Sequence, residues 1–250
     1  MQKFIIKPGS VLGDTIAITG QDAHHIRRVL RFKPGETLSM TDGEGTDLKG
    51  EILEIQPDSI EARITSVKRS ETESMLNLTL CTAMLKHKKM DEIIKQATQL
   101  GVTQWVPFFS ARSIPLSNPK KEARQMERWQ AIAKESLKQC RRSRLVKIYD
   151  PMNYDQVLDM ADNFAHKIAF WEESNNPFSN LTGKNVESAI ILIGPEGGFE
   201  ATEVERAKSV GFCSYSLGPR VLRAETAAIC AASLVQYLLG DLGHNTNINS

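Results

Sequence analysis

The sequence predicts an α/β protein in which a small β-rich part precedes a larger part where strands and helices alternate. Up to about residue 67, short apolar runs recur with turn residues between them, which is typical of a small barrel. From residue 76 onward, short apolar runs alternate with segments of helical periodicity, which predicts a mostly parallel sheet with helices on both faces. Residues 68–75 are polar and have no period. We therefore expect two domains, residues 1–70 and 71–250.

Length and composition predict a globular protein without a membrane span or a metal site. The chain has 250 residues, a net charge of +1 and 41% hydrophobic residues, which is enough for real cores. No apolar stretch reaches membrane length and the N-terminal apolar run is too short for a signal peptide, so we expect a cytoplasmic protein with no membrane partner. Four cysteines without a C-x-x-C pair and five histidines without H-E-x-x-H spacing predict no metal site.

In the first domain, strands are predicted at residues 4–6, 15–18, 37–40, 50–55 and 60–64. Residues 42–45, Asp-Gly-Glu-Gly, predict a hairpin turn. One helix is expected at residues 22–31, with Asp22 as its N-cap and Ile26, Val29 and Leu30 facing inward. The arginines of this helix must then meet water or phosphate.

Basic residues gather in three clusters, although the total charge is close to zero. The clusters lie at residues 24–33, 86–89 and 138–147. A phosphate backbone meets local patches of charge rather than the total charge. Any single cluster is more often a solvated helix face, but three of them in one chain favour an RNA partner.

In the second domain, strands are predicted at residues 76–80, 105–109, 146–149, 168–171, 190–193 and 213–217, and helices at 90–100, 121–138 and, by the alternation, 155–161. Two more helices follow the last two strands. A short one over residues 202–210 begins with a capping box at Thr202 and Glu205. The other, residues 224–239, is apolar all round, so we expect one face against its own sheet and another against a partner subunit.

Two glycine-bearing loops connect these last elements. Gly194-Pro-Glu-Gly-Gly198 follows one strand and Gly218-Pro-Arg220 follows the next. Free backbone groups at successive strand ends form a crevice that can grip a flat polar ligand. There is no Gly-Lys-Ser/Thr or G-x-G-x-x-G pattern, and Pro195 removes an N–H, so a nucleoside pocket fits better than a phosphate cradle. The alternative is that both loops are only tight turns.

These two loops also carry a family resemblance. Ile193-Gly-Pro-Glu-Gly-Gly-Phe199 together with Leu217-Gly-Pro-Arg-Val-Leu-Arg-Ala-Glu-Thr-Ala227 resembles the paired motif of the ribosomal RNA small subunit methyltransferase E family, in the SPOUT superfamily. His25-x-x-Arg-Val-Leu-Arg31 resembles the start of the same family. The resemblance implies a trefoil-knotted C-terminal domain that binds S-adenosylmethionine, a PUA-like N-terminal RNA-binding domain and a homodimer. The implied reaction is methylation of N3 of uridine 1498 in 16S ribosomal RNA of the small subunit.

The motifs and the resemblance together predict three groups of site residues. Cofactor contacts are expected from Ile193, Gly194, Glu196, Gly198, Leu217, Gly218 and Leu222, catalytic roles from Arg112, Arg223 and Glu225, and RNA contacts from Arg27, Arg28, Arg31, Lys86, Lys89 and Arg142. Lys86 and Lys89 follow a predicted strand at the edge where ligands bind in such sheets, so they are candidates for RNA phosphate or for the substrate pocket. A cation would stabilise the uracil imide anion while a carboxylate or water takes the N3 proton. More ordinary roles are helix capping for Glu196 and Glu225 and an ion pair with Glu225 for Arg223.

Three other functions stay open at this stage. A non-catalytic RNA-binding relative is disfavoured by the intact glycines of both loops. A SPOUT methyltransferase that acts on transfer RNA or on a ribose 2′-hydroxyl is disfavoured by the N-terminal barrel and by the Leu-Arg-Ala-Glu-Thr spelling. An unrelated nucleotide-binding α/β enzyme is disfavoured by the missing phosphate loop.

Overall fold

The chain divides into two compact units. The structure, a computed structural model, describes residues 3–6, 11–113, 119–181 and 186–243. The first unit comprises Met1–Glu73 and Leu137–Leu145, and the second comprises Ser74–Ser136 and Val146–Ser250. Residues 137–145, which the sequence analysis placed in the second domain, thus belong to the first unit. Hydrogen bonds explain this, because Gly45 N donates to Ser143 O and Leu145 N donates to Gly43 O.

Within the described residues, the first unit forms a six-stranded sheet in the order β1-β4-β5-β6-β3-β2. Its strands are β1 (Lys3–Ile5), β2 (Val11–Leu12), β3 (Thr15–Thr19), β4 (Thr37–Thr41), β5 (Thr46–Ile55) and β6 (Ser59–Arg69). The pair β1 and β4 is parallel and the other neighbours are antiparallel. The predicted hairpin turn between β4 and β5 is confirmed, and Asp42 Oδ1 stabilises it by accepting from the N–H groups of Glu44 and Thr46.

The helix of this unit differs from its prediction. Its α-helical part, α1, is Gln21–His24, and a π-helical turn, His25–Leu30, continues it. The N-cap is Gly20 and not Asp22. Val29 is 63% exposed rather than buried, whereas Ile26 is buried and Leu30 packs against the core. A π-helical turn holds more residues than an α-helical one, so the third residue after Ile26 is turned away from the core.

In the part of the chain that the structure describes, the second unit forms a parallel seven-stranded sheet in the order β10-β8-β7-β12-β11-β13, with β9 also paired to β8. Its strands are β7 (Asn77–Ala83), β8 (Gln104–Phe109), β9 (Lys147–Ile148), β10 (Met152–Asn153), β11 (His166–Phe170), β12 (Ser188–Ile193) and β13 (Cys213–Tyr215). Its helices are α2 (His87–Gln99), α3 (Pro119–Cys140), α4 (Tyr154–Asp159), α5 (Ala201–Ser209) and α6 (Ala224–Leu239). The predicted parallel sheet is therefore confirmed.

Two apolar clusters show that helices cover both faces of this sheet. Ile191 of β12 shares one cluster with residues of α2, α3 and α6. Leu192, the next residue, shares the other cluster with residues of α4 and α5. Successive side chains of a strand point to opposite faces, so β12 is buried on both sides. This explains why its sequence is a continuous apolar run rather than an alternating one.

The strand order places both glycine loops at one edge of the sheet. Phe170, at the end of β11, pairs with Ile193 of β12 on one side and with Tyr215 of β13 on the other. On the far side of β12, Ile193 pairs with Thr82 of β7. The carboxyl ends of four parallel strands therefore meet, which is where ligands bind in such sheets. The trefoil knot implied by the resemblance stays a prediction.

Candidate active site

A pocket opens at the carboxyl ends of β11, β12 and β13. It holds about 570 Å³ of free space, which includes a part open to solvent. The pocket is lined by both glycine loops, by residues 170–172 after β11 and by the start of α6. The structure brings all the predicted cofactor contacts to this pocket, namely Ile193, Gly194, Glu196, Gly198, Leu217, Gly218 and Leu222.

The first loop needs glycine for two separate reasons. A Cβ on Gly194 would lie 3.0 Å from Phe199 Cδ2, so a side chain there would have to displace the Phe199 ring. Gly198 has φ +70°, and a Cβ on it would collide with the carboxylate of Glu172. The ring of Phe199 stacks on Phe108 in the core, with centroids 6.4 Å apart. Phe199 thus anchors the loop to the core, and the loop backbone lies against the pocket.

The second loop has a different geometry. Gly218 has φ +112°, but no heavy atom lies within 4 Å of the place where its Cβ would be. Its N–H donates to Ser216 Oγ at 3.2 Å, and the N–H of Ser216 donates to Asn176 O at 2.9 Å. Beyond the loop, Val221 is almost fully exposed. The open space beside Gly218 therefore belongs to the pocket.

Sequence reasoning missed the third wall of the pocket, Phe170, Trp171 and Glu172. Within the described residues, the indole N–H of Trp171 is buried and has no hydrogen-bond partner. Glu172 brings a carboxylate to the pocket beside Gly198. The sequence did carry a signal for Glu172, because this acidic residue directly follows a predicted strand. The strands next to that one could not be named before the strand order was known.

Lys89 joins three segments that are far apart in sequence. Its Nζ lies 2.9 Å from Glu196 Oε1 in the first loop and 3.0 Å from Glu225 Oε2 in the first turn of α6. Hydrogen bonds to these two carboxylates raise the pKa of Lys89. The hydrogen bond from Lys89 lowers the pKa of Glu196, and the charges of Lys86 and Arg223 add to this effect. Of the two roles predicted for Lys89, RNA phosphate or the substrate pocket, these ion pairs favour the pocket.

Arg112 covers the first loop from outside. Its Nη1 donates to Gly197 O at 2.8 Å, and its Nε lies 3.5 Å from Glu200 Oε1. The neighbouring Ala111 N–H donates to Glu203 Oε1 at 3.0 Å. The structure therefore places Arg112 on the loop backbone, where it can position the loop.

At the loops, one local prediction is wrong and one of the more ordinary roles does not hold. The capping box of α5 is formed by Glu200 and Glu203, two residues before the predicted pair Thr202 and Glu205, because Ala201 is already helical. In the residues that the structure describes, Glu225 is paired with Lys89 and Arg223 makes no ion pair. Arg223 is instead exposed at the N-cap of α6, where its charge acts on Glu196.

Comparison with known proteins identifies the family to which this chain belongs. Residues 72–236 match the RNA methyltransferase domain family, and residues 18–65 match the RNA methyltransferase PUA domain family. The ribosomal RNA small subunit methyltransferase E of Bacillus subtilis (strain 168) is 30% identical over 230 residues, which cover 89% of this chain and 90% of that protein. This chain belongs to the ribosomal RNA small subunit methyltransferase E family. It is therefore an RNA methyltransferase of that family.

Solved structures agree with the family and with the predicted fold. A ribosomal RNA small subunit methyltransferase E from Neisseria gonorrhoeae, bound to S-adenosyl methionine, is 27% identical with a TM-score of 0.85 and covers 96% of this chain and 99% of that one. A methyltransferase from Legionella pneumophila, in complex with the bound cofactor SAM, is 28% identical with a TM-score of 0.84 and covers 96% and 98%. A PUA-like N-terminal sheet and a SPOUT α/β domain are thus confirmed.

The residues predicted to contact RNA separate into accessible and inaccessible ones. Arg28 and Arg31 are exposed and Arg27 is half-buried on the π-helical turn, while Lys86 is exposed at the N-cap of α2. Arg142 is different, because its side chain is 4% exposed and its Nη2 lies 2.8 Å from Glu73 Oε2. As placed, this guanidinium cannot reach an RNA phosphate. A cluster of basic residues in the sequence does not reveal which of them is buried in an ion pair and which is exposed.

No helix of the described residues has the length and apolarity needed to cross a membrane. The described residues also contain no group of three or more His, Cys, Asp or Glu side chains that could hold a metal ion.

Proposed function

We propose that this protein transfers the methyl group of S-adenosylmethionine to N3 of a uridine in 16S ribosomal RNA, uridine 1498 in the family. Its full activity would be that of a 16S rRNA (uracil(1498)-N(3))-methyltransferase. The convergence of both motif loops on one pocket carries the proposal. The relatives whose structures hold S-adenosylmethionine support the choice of cofactor.

The residues of the pocket fit this cofactor. Space beside Gly218 is open to a ligand, and Trp171 offers a buried N–H that lacks a partner among the described residues. Ile193, Leu217 and Leu222 supply apolar walls for an adenosine group. Glycine backbone groups would supply hydrogen bonds to it. Bound in this way, S-adenosylmethionine supplies an electrophilic methyl group on a positively charged sulfur.

Two carboxylates make the pocket suitable for a cationic ligand. Glu172 and Glu196 line it, and the low pKa of Glu196 keeps that group ionised at neutral pH. A sulfonium and an ammonium group are both attracted by such charges. We expect Glu172 to contribute more to this attraction, because Glu196 is already paired with Lys89.

Nucleophilicity at uracil N3 requires loss of its proton. Arg223, exposed at the first residue before α6, would stabilise the resulting imide anion and so lower the pKa of the base. Glu225 would accept the proton through water, with Lys89 holding its carboxylate in place. Arg112 would act by fixing the first loop rather than by touching the base.

The remaining parts of the proposal concern partners. Residues 1–70 would bind RNA through Arg27, Arg28 and Arg31, while Lys86 would contact RNA beside the pocket. A homodimer would form through α6, where Tyr237 is 58% exposed and Leu238 is 37% exposed on an otherwise apolar helix. Residues 71–250, apart from residues 137–145 of the first unit, would form the methyltransferase domain. Because its substrate would be ribosomal RNA, we expect the protein to act in the cytoplasm.

A label-transfer experiment tests this proposal against its rivals. Purified protein is incubated with methyl-labelled S-adenosylmethionine and, separately, with small ribosomal subunits, free 16S RNA and transfer RNA, and the nucleosides are then analysed. Labelled 3-methyluridine from 16S RNA or from subunits supports the proposal. Labelled transfer RNA or a 2′-O-methylated nucleoside would establish one of the other SPOUT reactions, and no transfer to any substrate would favour a non-catalytic RNA-binding protein.

A further inference from the structure

A second groove lies in the same unit as the pocket, between α2 and the first half of α3. It holds about 780 Å³ of free space, including a part open to solvent. The groove is lined by Lys88 and Asp91 of α2 and by Lys121, Arg124, Gln125 and Arg128 of α3. Four cations thus face one carboxylate across a concave surface.

Most of this positive charge is not neutralised. Arg128 Nη2 lies 2.7 Å from Asp91 Oδ2. This ion pair neutralises one of the four cations and uses the only carboxylate among the described lining residues. Lys88, Lys121 and Arg124 are exposed and have no ion-pair partner within the described ranges of the chain. Such a concentration of free cations in a concave surface attracts a polyanion.

A buried amide in the groove is an independent observation. Gln125 is 7% exposed, and both its Nε2 and its Oε1 are buried without a hydrogen-bond partner in the part of the chain that the structure describes. Leaving a donor and an acceptor unpaired costs free energy. A ligand that offers both an acceptor and a donor, as the edge of a nucleobase does, would satisfy this amide.

The groove and the pocket share the first turn of α2. Lys88 lines the groove, and Lys89, the next residue, binds Glu196 and Glu225 at the pocket. Successive residues of a helix point in directions about 100° apart, so one turn can serve two neighbouring surfaces. The groove therefore begins at the same helix turn that supplies Lys89 to the pocket.

We propose that this groove binds the single-stranded RNA next to the target uridine, with Lys88, Lys121 and Arg124 on its phosphates and the Gln125 amide on one unpaired base. The proposal rests on the function proposed above and adds a contact surface to it. Phosphate contacts position the strand and carry most of the affinity, whereas an amide can distinguish bases.

Charge reversal tests the phosphate contacts. The affinity of the full chain for a fluorescent 16S RNA fragment is measured by anisotropy at several salt concentrations, and its affinity for S-adenosylmethionine by calorimetry. Arg124→Glu is expected to weaken RNA binding about tenfold and to lower the salt slope by about 0.7 for one lost single-strand phosphate contact. Lys134→Glu, an exposed lysine of α3 that does not line the groove, is the matched control and should bind RNA as the wild type does. Equal RNA affinity of the two variants would overturn the proposal.

Gln125→Leu tests the base contact. Leucine has a similar size and removes two unpaired polar atoms, so the melting temperature should stay the same or rise. RNA affinity should fall about threefold with an unchanged salt slope, since no charge is lost. Unchanged RNA affinity would overturn the assignment of Gln125. These binding readouts need no methyl transfer, so a wild-type protein that binds RNA through the groove but transfers no methyl group would refute the proposed function alone.

Discussion

Lys89 and Glu225 form an ion pair, Nζ to Oε2 at 3.0 Å, that joins the first turns of α2 and α6. The same ammonium lies 2.9 Å from Glu196 in the first glycine loop. One lysine thus holds together three segments that come from distant parts of the sequence. The hydrogen bond from Lys89 and its positive charge also lower the pKa of Glu196 and so favour the ionised form of this carboxylate.

The first prediction concerns this lysine. Lys89→Met keeps the aliphatic stem but removes the charge, so Glu196 and Glu225 would repel each other and the loop would shift. Small misplacements of a reacting geometry cost up to about 100-fold in rate, and we expect a fall in kcat of that order. Lys95→Met, an exposed lysine on the same helix, should leave kcat unchanged. Steady-state kinetics on 16S RNA measures both, and equal kcat values for the two variants would contradict the prediction.

The second prediction concerns pH. Because the pKa of Glu196 is lowered and that of Lys89 is raised, the ion pair persists at neutral pH. Its contribution to stability is present above the unfolded pKa of the glutamate and is lost as pH falls through the folded one. At the alkaline end, the contribution is lost as pH rises through the folded pKa of Lys89. Carbon-13 NMR titration of the Glu196 carboxyl should show an upward shift of its midpoint in Lys89→Met, and no shift would refute the pairing.

The third prediction separates ligand space from backbone strain. Gly218 and Gly35 both have positive φ, +112° and +90°, and a Cβ on either would meet no heavy atom within 4 Å. An alanine should therefore cost about 1 kcal/mol of strain at both places. Only Gly218→Ala adds a methyl group to the pocket, so it alone should weaken S-adenosylmethionine binding, by about tenfold or more. Calorimetry and thermal melting compare the two variants, and equal cofactor affinity would remove Gly218 from the site.

Gly194 is less suitable for that experiment. A Cβ there would stand 3.0 Å from Phe199 Cδ2 and 3.2 Å from the backbone nitrogen of the same residue. Substitution would therefore disturb the anchoring of the first loop as well as the pocket, and lost binding could reflect either effect.

The fourth prediction concerns Arg142. Its removal leaves Glu73, which is 12% exposed, without its cationic partner, and breaking a buried pair costs about 3 kcal/mol or more. Arg142→Ala should therefore lower the melting temperature clearly. RNA affinity, measured well below that temperature, should stay close to that of the wild type. A stable variant that binds RNA poorly would show that Arg142 contacts RNA after all.

The fifth prediction concerns the exposed arginines of the first unit. Arg28→Ala should weaken binding of a 16S RNA fragment and lower the salt slope by about 0.7, as expected for one phosphate contact to a single strand. Stability should change little, because the side chain is exposed. Lys49→Ala, an exposed lysine of β5, is the control. Salt-dependent anisotropy titrations should show a lower slope for Arg28→Ala alone, and equal slopes would argue against this contact.

Much of the fold was predictable because its signals are local. The apolar run at β12, the turn at residues 42–45 and the apolar helix 224–239 each depend on neighbours in sequence. The π-helical turn was not predictable, because its residues carry the same apolar spacing as an ordinary helix. The capping box of α5 was predicted two residues too late, since a glutamate rather than a serine or threonine accepts the N–H bond.

Site residues divide in the same way. Both glycine loops stand out in the sequence because backbone conformation and close packing demand glycine there. Glu172 does not stand out, since it is an ordinary charged residue until the strand order brings it to the pocket. Lys89 was a candidate from its place at a strand end, but its two carboxylate partners depend on the fold. Arg142 looked available to RNA because nothing in the sequence reveals its partner Glu73.

Read alone, the sequence determined that the chain has a β-rich part and an α/β part, and that two glycine motifs follow adjacent strands of the second. The tertiary structure decided which distant charges meet, with Lys89 between two carboxylates, Arg142 buried on Glu73 and Gln125 in a basic groove. The physical reason is the separation in sequence over which each interaction acts. Turns and apolar periodicity act over a few residues, whereas an ion pair or a pocket wall depends on distances of a few ångströms between segments that only the folded chain brings together.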